Sequence, residues 1–143
     1  MVSVNKKIPI TVAVMAVIAL VITIVILLMP PHITIAYSEM HGKQYIGPDN
    51  QYISDPTYST GTVTWVQFYL NVTTTKSTQF SLNDFTVTYN DQPVTILKEN
   101  TGGIVNLSQD RINDCVVGYI LEGELSGIFK LTYDGIADVE LKQ

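Results

Sequence analysis

Apolar and polar positions fall into two regimes along this chain. From Ile8 to Met29 twenty-two consecutive residues carry no charge, and beyond Pro30-Pro31 the pattern breaks into short alternations of apolar and polar residues. At about 1.5 Å of rise per residue the first regime spans roughly 33 Å as a helix, enough to cross a hydrocarbon core of about 30 Å. Inside lipid every backbone N–H and C=O must be bonded within the segment, so its many Val and Ile residues do not turn it into a strand. Its ends are marked: Lys6 and Lys7 precede it, Pro9 suits a first turn, and Pro30-Pro31 forbid continuation. A cleaved signal peptide is the competing reading. The run exceeds the usual h-region of about 7–15 residues and shows no small-x-small cleavage site, which favours an uncleaved anchor. Two lysines lie before the helix and the first basic residue after it is Lys43, so residues 1–7 are expected in the cytoplasm and residues 30–143 outside.

In the second regime the alternation predicts strands. Ile33 to Ser38 places Ile33, Ile35 and Tyr37 on one face. From Glu39 to Gly61 no period survives among Gly42, Gly47, Pro48 and Pro56, and a long loop bearing Tyr45, Tyr52 and Tyr58 is expected. Thr62 to Thr73 is the strongest strand, with Val66, Phe68, Leu70 and Val72 facing the core and Gln67, Tyr69, Asn71 and Thr73 facing away. After a polar turn over TTTKSTQ, the strand Phe85 to Tyr89 and the turn Asn90-Asp91-Gln92-Pro93 lead into Val94 to Leu97 as a hairpin. Glu99 to Gly103 reads as a further turn. Ile104 to Leu107, Cys115 to Leu121, Ile128 to Tyr133 and Ile136 to Leu141 complete a set of about seven or eight strands.

No helical period recurs after the anchor, and short strands punctuated by Gly, Asn and Pro predict an all-β immunoglobulin-like sandwich behind one transmembrane helix. The three domains are 1–7, 8–29 and 30–143, with the sandwich tethered close to the membrane by its short linker. The stretches Leu82-Asn83-Asp84-Phe85-Thr86-Val87 and Leu131-Thr132-Tyr133-Asp134-Gly135 resemble signatures of small Ig-like domains that prokaryotes export behind an N-terminal helix or lipid anchor. The layout is also similar to the archaellum stator proteins F and G of archaea. The resemblance covers about residues 62–135, carries no catalytic motif, and implies an extracellular binding or assembly module.

Charge narrows the partners. Lys6 and Lys7 are two of the eight Lys and Arg, so residues 30–143 hold six basic against all thirteen acidic residues, a balance of −7 that repels phosphate backbones. Nucleic acid is not an expected partner. The single cysteine, Cys115, excludes an internal disulfide. His32, His41, Cys115 and Met40 match a blue-copper donor set in number, but Cys115 is followed by VVGYILEG, with no His or Met near it. Glu122-Gly123-Glu124 reads as a solvated turn, a calcium site from Asp49, Asn50 and Asp55 has no loop motif behind it, and no G-x-S-x-G is present. No catalytic residue, metal or cofactor is assigned.

Two sequons, Asn71-Val72-Thr73 and Asn106-Leu107-Ser108, agree with an outside domain, and Asn71 falls on the outward face of its strand. The expected function is a non-catalytic, membrane-anchored extracytoplasmic binding or assembly module that meets a protein partner through Tyr45, Tyr52 and Tyr58. The alternative is an accessory, non-catalytic single-pass subunit of a membrane enzyme or transporter complex. Ala13, Ala16 and Ala19 would then permit close helix approach.

Overall fold

A computed structural model of the protein describes residues 10–47, 61–135 and 138–143. The chain divides into two units, residues 1–30 and 31–143. The first contains α1 (Ile10–Leu28), nineteen residues long and apolar on every side. Its length of roughly 28 Å at about 1.5 Å per residue matches a hydrocarbon core. The Thr23 hydroxyl donates back to the Ala19 carbonyl at 2.8 Å, which satisfies a polar group that lipid would leave bare. Met29 N–H bonds Val25 O at 3.0 Å and closes the last turn before Pro30. One N-terminal apolar helix of membrane-spanning length is what a single-pass membrane protein requires.

The second unit is built of strands: β1 (His32–Ile46), β2 (Gly61–Thr74), β3 (Thr78–Ser81), β4 (Phe85–Tyr89), β5 (Gln92–Pro93), β6 (Ile96–Thr101), β7 (Ile104–Leu107), β8 (Asn113–Glu122), β9 (Phe129–Tyr133) and β10 (Asp138–Lys142). A single 3₁₀ turn, Leu82–Asp84, joins β3 to β4. Five strands form one sheet in the order β10-β1-β2-β8-β6, three form another in the order β5-β4-β9, and β3 pairs with β7. One apolar core joins them: Ile35, Phe68 and Leu121 from the five-stranded sheet meet Phe85, Val87 and Leu131 from the three-stranded one. The arrangement is sandwich-like.

The strongest expected strand forms as read. Val66, Phe68, Leu70 and Val72 are buried, Tyr69, Asn71 and Thr73 are exposed, and β2 pairs with β1 along its full length. Three expectations are corrected. The long loop expected from Glu39 to Gly61 begins later, because residues 39–46 continue β1 opposite Phe68 to Gly61 of β2. Residues 39–45 show no hydrophobic period, and it is mainly pairing with the long β2 that holds them extended, with Ile46 packing beside Val63 at the end; tertiary context overrides the local pattern. Residues 48–60 lie outside the described set.

The second correction concerns the hairpin. Asn90 and Asp91 both adopt positive φ, 50° and 61°, as a two-residue hairpin turn requires. Its second arm is only Gln92–Pro93, because Pro93 has no N–H to extend the ladder, and Ile96–Thr101 pairs instead with β8. Glu99, read as the start of a turn, therefore lies within a strand, and the chain turns at Gly103, whose φ is +71°. Thirdly, the last two residues of the expected polar turn after β2, Thr78 and Gln79, already belong to β3, which Phe80 anchors in the core. Among the described residues ten strands thus stand where seven or eight were expected.

One buried polar side chain fastens the end of β8. Thr64 is fully buried, donates to Gly123 O at 3.0 Å and accepts from Leu125 N at 2.8 Å. Phe68→Ala or Leu70→Ala should cost about 2–5 kcal/mol in chemical denaturation, whereas Gln67→Ala should be nearly silent. Thr64→Val keeps the volume and strands two backbone groups, so a loss of about 1–3 kcal/mol is expected in the same measurement.

Candidate surface groove

Strand alternation sends odd-numbered residues of β2 to the solvent side of the five-stranded sheet. Most are polar and exposed, but at one end Val63 is only 1 % exposed, and it packs with Ile46, Leu97 and Ile120 in a second small apolar cluster. Beside that cluster stands Trp65, the only tryptophan of the chain. Its indole rests on β1 at Gly42, where a Cβ would fall 2.7 Å from Cζ2 and 2.9 Å from Cε2. Glycine at position 42 is what lets the ring sit against the strand. Across β2, Gly118 of β8 leaves the floor bare: a Cβ there would meet nothing nearer than Asn100 O and Gln67 Cγ, both at 3.5 Å.

The result is a groove of about 520 Å³, within the range of roughly 300–1,000 Å³ usual for small-molecule sites. Trp65, Val63 and Ile120 supply its apolar surface, and Gln44, Gln67, Lys98 and Asn100 line it with polar groups. Gln67 Oε1 accepts from the Tyr69 hydroxyl at 3.2 Å. Among the described residues the side chains of Gln44, Lys98 and Asn100 are left to water or a ligand. Four strands contribute to the groove: β1, β2, β6 and β8. No local sequence window displays it. The available signal was the pair Val63 and Trp65, apolar residues on the parity that otherwise reads Gln67, Tyr69, Asn71 and Thr73.

The residues singled out from sequence are dispersed. Tyr45 is 71 % exposed and, by alternation, projects to the opposite side of β1 from Gln44 and Ile46, away from the groove. Tyr52 and Tyr58 lie outside the described residues. Asn71 and Asn106 are both exposed on strands, Asn71 on the same sheet face as Trp65. His32 starts β1 with Nδ1 2.8 Å from Asp138 Oδ2. A shallower depression of about 300 Å³ beside it is lined by Thr34, Thr73, Asp110 and Arg111. His41 lies farther along the strand, 3.6 Å from Glu39 Oε1, with its ring 5.0 Å from that of Phe129. Glu39 Oε2 is shielded from solvent without a hydrogen-bond partner among the described residues. Glu124 is paired with Lys43 while Glu122 is exposed at the end of β8. Among the described residues no group of three or more His, Cys, Asp and Glu gathers where a metal ion would sit.

Burial raises the pKa of three titratable groups packed in or against the core, Cys115, Tyr119 and Tyr133. Burial, reinforced by Asp114, pushes the Cys115 thiol up, away from reactivity. Burial, with Glu99 second, pushes the Tyr119 hydroxyl well above its ordinary range; that hydroxyl donates to Phe85 O at 3.0 Å and ties the two large sheets together across the core. Comparison with protein-family models, curated proteins and solved structures gave no match.

Two measurements follow from this geometry. Gly42→Ala should force the indole off β1 and shift the Trp65 emission to the red, with a smaller effect on the thermal midpoint than Phe68→Ala. The raised Tyr119 means that the folded state holds the phenolic proton more tightly than the unfolded state. Its contribution is therefore complete below the unfolded value of about 10 and is lost as pH rises beyond it. Thermal midpoints should be level from neutral pH to about 8, decline slightly above about 8.5 as the Cys115 thiol ionises in the unfolded chain, and fall further above about 10. Tyr119→Phe should cost about 1–3 kcal/mol at neutral pH by leaving Phe85 O unpaired, and make the alkaline fall shallower.

Proposed function

We propose that the protein is a non-catalytic binding module held to a cell membrane by α1, with residues 1–7 in the cytoplasm and the strand domain outside. The observation that carries this reading is the groove over Trp65. A solvent-facing sheet surface ordinarily alternates into polar groups. Here it keeps an aromatic ring, a small apolar cluster and three polar side chains with no partner among the described residues. Surfaces of that kind, apolar with a few placed polar groups, are where ligands bind. Lys6 and Lys7 before the helix support the orientation. The exposure of Asn71 and Asn106 supports their assignment as glycan acceptors on an outside domain.

Connectivity supports the finer reading of the sandwich as immunoglobulin-like. The run β1-β2-β8-β6 corresponds to the A-B-E-D neighbours of that fold, and β5-β4-β9 to C′-C-F. The departure is β10, which pairs in parallel with β1 instead of lying beside β9. Tyr45, which is exposed, is proposed together with Tyr52 and Tyr58 as a second contact surface toward a protein partner, tyrosine offering large area at little entropic cost.

Protease added to intact cells or spheroplasts should digest the domain and leave the N-terminus protected; the reverse pattern would overturn the orientation. Mass measurement of the detergent-solubilised protein separates the free-standing module, expected at the mass of the chain plus detergent, from an accessory subunit, which would co-purify in a larger complex.

A further inference from the structure

We infer that the groove over Trp65 takes a saccharide, specifically a neutral hexopyranose chain; this rests on the reading of the groove as a binding site. A pyranose ring has two kinds of surface. Its faces carry C–H bonds that pack on an aromatic ring, whose π cloud is the negative side of a quadrupole, and its rim carries hydroxyls that each donate and accept. A site for such a ring needs an aromatic face held in place and planar amides around it, since an amide matches a hydroxyl as donor and acceptor at once. The groove has both. Trp65 is seated on the bare backbone of Gly42, which fixes the indole before any ligand arrives. Gln44, Gln67 and Asn100 bring three amides to the same depression from three different strands.

Other ligand classes fit less well. A phosphate or polyanion would meet one cation, Lys98, in a domain of net −7. A lipid chain would desolvate the amides of Gln44 and Asn100 without partners and leave Gln67 only its bond from the Tyr69 hydroxyl, which is unfavourable. A hexopyranose uses the apolar and polar groups together, with Lys98 as one more hydroxyl donor. The floor at Gly118, between Gln67 and Asn100, carries no side chain, so the groove of about 520 Å³ stays open at that point.

Trp65, as the only tryptophan, reports directly on the groove. The full chain, carrying Asn71→Gln and Asn106→Gln so that no saccharide of its own competes, is placed in lipid nanodiscs free of glycoside detergent. It is then titrated with maltohexaose, cellohexaose, N-acetylchitohexaose and, as the acidic control, hexagalacturonate. At least one neutral oligosaccharide should shift Trp65 emission saturably to the blue, and hexagalacturonate should bind at least tenfold more weakly. By calorimetry, Trp65→Ala and the double variant Gln67→Ala/Asn100→Ala should each weaken the neutral ligand tenfold or more, with the double variant keeping its thermal midpoint. Gly118→Val, which fills the floor, should do the same. If no saccharide perturbs Trp65 but an apolar dansylated peptide does so, and Gly118→Val abolishes it, the saccharide assignment is overturned and the binding module stands. If neither perturbs Trp65, the groove loses its role and both readings fall.

Discussion

Everything in the strand domain depends on the pairing of β2 with its two neighbours. All fourteen residues of β2 face β1 in an unbroken antiparallel register, and ten of them face β8 on the other side. Because side chains alternate, this one strand serves two surfaces at once. Its even positions from 64 to 74 are buried in or beside the core, and its odd positions at 63, 65 and 67 shape the outer groove. A shift of one residue in either ladder would exchange the two faces. It would put Gln67 into the core and Phe68 into water. Core and groove are therefore specified together, and the hydrophobic demand of the core fixes the geometry of the groove without any separate device.

How much of this was legible in the sequence depends on where the ordering force comes from. β2 and β7 are legible because their own alternation or apolar content specifies them, and so is α1, whose composition leaves it no soluble alternative. The second half of β1 is not, since Glu39, His41 and Lys43 show no apolar alternation and are set by pairing with β2 and by contacts with Phe129 and Glu124, which are distant in sequence. The exit of the chain at Pro93 to a different sheet is a competition between two partners, which a reading of single segments does not register. The groove is the least legible feature, being assembled by four strands whose lining residues run from Gln44 to Ile120, most of which individually look like ordinary surface. Only Val63 and Trp65 interrupt the expected parity, and that interruption marks its place.

β10 pairs with His32 to Ala36 only, so among the described residues the remainder of β1 has a ladder on one side. An exposed edge of that length is a template for unwanted strand addition. This one carries Glu39, His41 and Lys43 in alternation, with Lys43 tied to Glu124 and His41 beside Glu39. The partly exposed His41 and Lys43 would have to be desolvated by an incoming strand, which disfavours it. The absence of hydrophobic period that hid this strand from sequence reading is the same property that protects it.

The parallel pairing of β10 with β1 also has a mechanical side. Five register pairs, from His32 with Asp138 to Ala36 with Lys142, lie side by side with both strands running the same way. A pull applied between Pro31 and the chain beyond Lys142 acts along the two strands in opposite senses. The ladder is then loaded in shear, with its hydrogen bonds sharing the force and yielding together. An antiparallel pair grasped at adjacent ends would instead unzip one bond at a time. The first and last strands thus form a clasp, and a tension transmitted through the domain is resisted where the chain enters and leaves it.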